Sequence, residues 1–93
     1  IYYNCIDGKS HKKLMIYHKN GQLFTESNYV NERKHGKFLE YFENGQLYED
    51  CDYNNGKIHG KFLIYYGNGN LREDYNYVGG NLHGKWLRYY ESG

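Results

Sequence analysis

Residues 44–67 read NGQLYEDCDYNNGKIHGKFLIYYG, and 24 residues later the pattern returns over residues 68–91 as NGNLREDYNYVGGNLHGKWLRYYE. His-Gly-Lys stands at His35-Gly36-Lys37, His59-Gly60-Lys61 and His83-Gly84-Lys85. Asn-Gly keeps the same step at Asn20-Gly21, Asn44-Gly45 and Asn68-Gly69, and His11-Lys12-Lys13 is a worn copy of the first motif. A fixed period of this size marks a repeat architecture. Arrays of one small unit make long binding surfaces more often than a lone catalytic pocket.

Each unit carries a second turn signal 11 residues after the first, as at Asn55-Gly56. Asn-Gly supplies the two positive φ values of a type I′ hairpin turn. Weaker versions stand at Asp7-Gly8, Asn31-Glu32 and Gly79-Gly80, the poorest being Asn31-Glu32, since Glu resists positive φ. The segments between turns predict eight strands, over residues 1–6, 9–19, 22–30, 33–43, 46–54, 57–67, 70–78 and 81–91. The expected fold class is all-β: a single-layer, twisted antiparallel β-meander built from 24-residue hairpin repeats. Residues 1–93 read as one repeat domain, with units 11–34, 35–58 and 59–82, a partial unit 83–93, and a partial unit 1–10 in front. The chain lacks an initiator Met and starts and stops partway through a repeat, as a fragment of a longer array would.

Two-residue turns set the register, so faces can be derived. One face is expected to hold Phe38, Phe42, Cys51, Tyr53, Phe62, Tyr66, Tyr75, Tyr77, Trp86 and Tyr90. The other carries His35, Lys37, Tyr48, Asp50, His59, Lys61, Arg72, Asp74, His83 and Lys85. Gly36 and Gly60 fall opposite Tyr53 and Tyr77, where a ring lying over a bare glycine is expected.

Composition agrees with a ring-rich sheet. Aromatics reach 19%, with 13 tyrosines, against 39% hydrophobic residues in all, which does not fit a disordered chain. The absence of Ala argues against helix. A net charge of +1 gives no field that would draw the chain to nucleic acid. No apolar run approaches the length of a membrane-spanning helix. Cys5 and Cys51 are too few for a disulfide scaffold and, at about 19 Å apart by strand spacing, too far apart to pair. An intracellular location is favoured.

These residues resemble the MORN repeat (membrane occupation and recognition nexus), in the bacterial-type variant found in proteins described as antitoxin components. The pattern is Gly-Lys-aromatic, then Tyr-aromatic, then Asn-Gly and Leu. It stands as Gly36-Lys37-Phe38, Tyr41-Phe42, Asn44-Gly45 and Leu47, and recurs as Gly60-Lys61-Phe62, Tyr65-Tyr66, Asn68-Gly69 and Leu71. A third start is Gly84-Lys85-Trp86 with Tyr89-Tyr90, while Lys12, His18 and Asn31-Glu32 depart from the pattern. The resemblance implies an elongated antiparallel sheet. It also implies scaffolding, dimerisation or binding of acidic phospholipids, and, through the antitoxin description, neutralisation of a toxin.

Two candidate sites follow. The aromatic face, with Phe38, Phe42, Phe62, Tyr66, Trp86 and Tyr90, is too large to stay open on a soluble monomer and is expected to dock a protein partner or a second copy. The row of Lys37, Lys61, Lys85, His35, His59 and His83 is the alternative, a contact for acidic phospholipid at a membrane surface. Its weakness is that register places Lys37 opposite Glu26, Lys61 opposite Asp50 and Lys85 opposite Asp74, as ordinary ladder pairs. The histidines stand roughly 9.6 Å apart, too far to share a metal ion. No nucleophile, phosphate loop or paired carboxylate can be assembled, so no enzyme, cofactor, metal, nucleic acid or small-molecule substrate is expected.

Overall fold

Alternation of apolar and polar side chains between short reversals is the strand period, and the chain follows it almost throughout. The computed structural model describes residues 2–8 and 11–92, with side chains from His11 onward. Its strands are β1 (Tyr2–Gly8), β2 (His11–Tyr17), β3 (Leu23–Val30), β4 (Arg33–Tyr41), β5 (Leu47–Asn54), β6 (Lys57–Tyr65), β7 (Leu71–Val78), β8 (Asn81–Leu82) and β9 (Leu87–Arg88). All pair antiparallel, each with the next in sequence, except that β8 and β9 both pair with β7 as two pieces of one interrupted arm. The result is a slab of 41 × 35 × 13 Å, one sheet thick. The expected eight-arm meander is what forms.

The two turns of each unit differ in kind. At Asn31-Glu32, Asn55-Gly56 and Gly79-Gly80 both central residues have positive φ, the type I′ geometry. Glu32 takes φ 68° despite its side chain. At Asn20-Gly21, Asn44-Gly45 and Asn68-Gly69 the expectation of type I′ fails, because only the glycine is left-handed. There Gly45 N–H donates to the Phe42 carbonyl at 2.9 Å, and Phe42 N–H to the Gln46 carbonyl at 2.8 Å. This is a three-residue loop: a type I turn closed by a left-handed glycine. The Asn44 side chain selects it, accepting from Gln46 N–H at 2.8 Å as an Asx turn. Strands at this end are accordingly about two residues shorter than expected, β4 ending at Tyr41.

Asp7-Gly8 is not a turn. Both residues lie in β1, paired with Lys12 and His11, and residues 9–10 that follow lie outside the described residues. Such a shift moves partners by an even number of residues, so it leaves each side chain on its own face, and hydrophobic patterning does not oppose it.

A second irregularity sits at His-Gly-Lys. Next to the turn, Tyr53 pairs with Ile58, but Cys51 pairs with Phe62, so β6 accommodates two extra residues around Gly60. The same slip occurs in β4 around Gly36, between Tyr29–Lys34 and Ser27–Phe38. It also separates β8 from β9, where the partner of Tyr77 is Leu82 and that of Asp74 is Leu87. These are β-bulges, and the glycine at each takes a φ of 99°, 95° or 75° that other residues resist. Gly36 and Gly60 do lie opposite Tyr53 and Tyr77. The expected ring over the glycine is absent, however: a Cβ built at Gly60 would meet nothing within 4 Å. Backbone conformation, and not space, requires the glycine.

The deepest burial lies along one transverse row. Leu14, Ser27, Phe38, Cys51, Phe62 and Tyr75 are successive cross-strand partners. Large rings flank small residues, so Ser27 (4% exposed) and Cys51 (0%) are covered although no second layer lies over them. Cys51 is the one fully buried hydrophobic residue among those described.

Glu32 stores backbone strain of about 1–2 kcal/mol. Replacing it by glycine relieves this at a smaller cost in unfolded-chain entropy. Glu32→Gly should therefore raise the melting temperature by a few degrees, read by circular dichroism; a fall would show that the Glu32 side chain contributes more than its backbone loses.

Candidate functional site

The face bearing Cys51 assembles the expected rings only in part. Phe38 meets Tyr53 edge-on at 6.3 Å, Phe62 meets Tyr75 at 6.1 Å and Tyr77 at 5.8 Å, and Trp86 stacks on Tyr75 at 5.7 Å. Lys34 lies over Phe38 and Tyr53, its ammonium 4.7 and 5.0 Å from the ring centres. Phe42 packs on Tyr48 at 5.0 Å, and the Arg72 guanidinium lies 5.7 Å from the Tyr66 ring centre. The register slips at Glu40/Tyr41 and Ile64/Tyr65 leave Tyr48 in β5 and Arg72 in β7 as the extra, unpaired residues, beside rings that continue the alternation of Phe38 and Phe62. Tyr90 follows the last strand and is 84% exposed.

The same face also holds acids, which the expected aromatic face did not include. Thr25, Glu40, Glu49, Ile64, Glu73 and Arg88 form a second transverse row of partners. Glu73 is buried, held by Arg72 Nε at 3.0 Å, by Arg88 at 3.8 Å and by the Tyr75 hydroxyl, which donates to it. The bond to Glu73 keeps the Tyr75 phenol protonated above its ordinary range. Glu40 and Glu49 face each other directly across β4 and β5. Burial, and then the Glu40 charge, raise the Glu49 carboxyl above its ordinary value, with Lys34 opposing in part. Simple alternation from Cys51 places Glu49 here. Burial and nearby carboxylates push the Cys51 thiol up to about 12, so it is inert filler at neutral pH.

The Lys/His row has structural employment. Lys13 pairs with Glu26 at 3.6 Å, Lys37 with Asp50 at 2.8 Å and Asp52 at 3.4 Å, and Lys61 with Asp74 at 2.9 Å. The expected partners of Lys37 and Lys61 were acids on the preceding strand; the bulge moves Leu39 and Leu63 opposite Glu26 and Asp50 instead. Leu87 likewise replaces Lys85 opposite Asp74. The lysines turn to the following strand. Hydrogen bonding to Asp50 raises the Lys37 ammonium above its ordinary range. His35 Nδ1 accepts from Asn55 N–H at 3.2 Å, and His59 Nδ1 from Gly79 N–H at 3.4 Å, so each histidine caps the next type I′ turn. A backbone bond joins the same places, from Gly56 N–H to the Lys34 carbonyl at 2.8 Å.

The loop ends are stitched in a similar way. Asn20, Asn44 and Asn68 each donate from Nδ2 to a carbonyl 23 residues on, at Glu43 (2.9 Å), Gly67 (3.4 Å) and Glu91 (3.2 Å). His18 Nε2 donates to the Tyr41 carbonyl at 3.0 Å and the Tyr66 hydroxyl to that of Tyr89 at 2.7 Å, again 23 residues on. Asn is needed because one amide must accept within its turn and donate to the next.

A family model described as "MORN repeat variant" matches residues 11–31, 34–55, 58–78 and 82–93. Comparison with curated proteins and with solved structures gave no match to the chain.

Two outcomes follow from this geometry. A carboxyl whose folded value is raised costs stability once ionised, a cost that appears as pH rises from 4.5 through that raised value. Glu49→Gln should be more stable than the parent at neutral pH, with the difference vanishing on acidification below the ordinary carboxylate range, as read by denaturation at several pH values. Asn20→Asp keeps the acceptor for Gln22 N–H but loses the donor to Glu43, and should cost about 1 kcal/mol in urea denaturation.

Proposed function

The chain belongs to the MORN repeat variant family, and on that premise we propose that it is a non-enzymatic scaffold that docks a protein on its aromatic face. The observation that carries this reading is the single-layer sheet. Phe62, Tyr75 and Trp86 adjoin one another, with Phe38 across Cys51 from them, on a face over which no second layer packs among the described residues. Ring-rich surfaces of this kind are favoured in protein interfaces. Cross-strand pairing holds the rings rigidly, so a partner meets a surface ordered in advance, with little side-chain entropy left to lose on binding. Glu40 and Glu49 beside the rings add an acidic margin suited to a partner with basic residues at its rim.

Docking of a second copy and neutralisation of a toxin are two forms of this same protein-binding reading. Acidic phospholipid is the competing ligand. Lys13, Lys37 and Lys61 each engage an acid of their own sheet, which removes the uncompensated positive patch that such lipids require.

A photo-crosslinking residue placed at Tyr75 samples the aromatic face, and one at Tyr65 samples the other. Discrete protein adducts from position 75 and none from position 65 are expected in cells of the source organism. Equal adducts from both would remove the aromatic face from consideration. Sedimentation with acidic vesicles should show no salt-sensitive binding, and pelleting that disappears in the combined Lys37→Ala, Lys61→Ala, Lys85→Ala variant would reverse the preference for protein.

A further inference from the structure

The strand that follows each Asn-Gly loop carries one residue too many for the strand before it. Ile16 pairs with Thr25 and Tyr17 with Leu23, which leaves Phe24 without a partner in that ladder; the same slip leaves Tyr48 in β5 and Arg72 in β7. Each extra residue lies against a side chain at the start of its own loop. Phe24 meets His18 at 4.6 Å between ring centres, Tyr48 meets Phe42 at 5.0 Å, and the Arg72 guanidinium stands 5.7 Å from the Tyr66 ring centre.

Between two of these pairs lies an open hollow of about 440 Å³, lined by His18, Phe24, Phe42 and Tyr48 together with Glu40, Tyr41 and Glu43. Ligand pockets commonly span about 300–1,000 Å³. The hollow is formed between two successive loops, residues 18–22 and 42–46, which His18 ties together through its Nε2–H bond to the Tyr41 carbonyl at 3.0 Å. Among the described residues, neither Glu40 nor Glu43 belongs to an ion pair. Lys34, the cation of the adjoining aromatic face, is drawn over Phe38 and Tyr53. Rings and carboxylates therefore meet here without a cation.

One unit later the chain supplies the cation itself. Arg72 stands where Tyr48 stood, its guanidinium against Tyr66 and its Nε 3.0 Å from Glu73, and Arg88 approaches the same carboxylate at 3.8 Å. The counterpart of Glu73 is Glu49, and the counterparts of Arg72 and Arg88 are Tyr48 and Ile64. Glu49 thus has neither arginine, and it faces Glu40 across the ladder. Burial, and then the Glu40 charge, raise its carboxyl, so a cation arriving beside Glu40 relieves a repulsion already present. Conversely, Ile64 and Gly67 hold the later positions of Glu40 and Glu43, so the acids are found where the arginine is missing.

We infer that this hollow binds a guanidinium group, that of an arginine side chain on another polypeptide, stacked on the rings and hydrogen-bonded to Glu40 and Glu43. A planar guanidinium satisfies both kinds of wall at once, since it stacks on aromatic faces and takes carboxylates with paired N–H groups. An ammonium is a compact point charge and matches only the acids. A polypeptide is the source because the hollow continues the aromatic face: Phe42 follows the alternation of Phe38, and Glu40 lies in the row beside Cys51. In this respect the inference rests on the docking reading above, for which it names the anchoring residue.

The probes are capped tripeptides Gly-Arg-Gly, Gly-Lys-Gly and Gly-citrulline-Gly, together with free L-arginine, each titrated into the full chain and followed by backbone and ring NMR shifts. Citrulline keeps the shape of arginine without its charge. The arginine peptide should give saturable shifts confined to residues 18–24 and 40–48, with the lysine and citrulline peptides at least about tenfold weaker. Glu40→Gln should weaken the arginine peptide about tenfold, and Tyr48→Arg, which copies the arrangement at Arg72, should abolish its binding by filling the site from within. Both variants are expected to fold, since arginine is native to the equivalent position and Glu40→Gln removes a charge that faces Glu49. Absence of saturable shifts, equal affinity for the lysine or citrulline peptide, or tighter binding of free arginine than of the peptide overturns the inference. The peptides bind or fail without a docked protein, so this outcome is read separately from the crosslinks at position 75. Adducts there without arginine binding would remove the hollow alone, and arginine-selective binding without adducts would remove the docking face alone.

Discussion

A backbone φ close to +95° at Gly36 and Gly60 is the constraint on which the remaining geometry of the sheet depends. It produces the bulge that shifts pairing by two residues between the type I′ turn and the middle of each strand. That shift decides which carboxylate each lysine meets, and it lets the preceding histidine reach the amide of the next turn. The motif His-Gly-Lys is thus one device with three parts: a cap for the following turn, a conformational break, and an ion pair to the following strand. Since Lys37 remains about half exposed, the ion pair contributes at most about 1 kcal/mol. Its larger effect is to fix direction, because the cap and the ion pair both reach the following strand and its turn.

Directional stitching explains how a sheet with one fully buried hydrophobic residue among those described can hold together. A conventional core is replaced by repetition of small terms. Rings alternate with Ser27 and Cys51 along one row, asparagines bridge successive loops, and side chains at His18 and Tyr66 reach carbonyls 23 residues on. Each term is worth about 1 kcal/mol or less. Stability then grows with the number of neighbouring units, as in other linear repeat proteins.

The acidic row changes the character of the aromatic face. Glu40 and Glu49 oppose each other, and Glu73 is compensated by Arg72, Arg88 and Tyr75. A face read from its rings alone as an apolar groove is an aromatic strip with a carboxylate margin. On the docking role proposed above, such a surface would select partners by charge as well as by area.

The all-β class, the meander, the 24-residue unit and the three aromatic positions Phe38, Phe62 and Trp86 on one face were all determined by the sequence, through periodicity and turn residues. Those features survive because a two-residue slip preserves side-chain parity. What depended on odd slips or on individual side-chain bonds was decided only in the folded sheet. The slips beside Tyr41 and Tyr65 left Tyr48 and Arg72 unpaired against Phe42 and Tyr66, and Asn44 closed a three-residue loop in place of a type I′ turn. The partners of Lys37 and Lys61 followed from the bulge at glycine, which a pairing rule counted from the turn does not contain. Local alternation is written in the order of residues, but where a strand takes up an extra residue is settled by competition among neighbouring hydrogen bonds, and that exists only once the strands lie side by side.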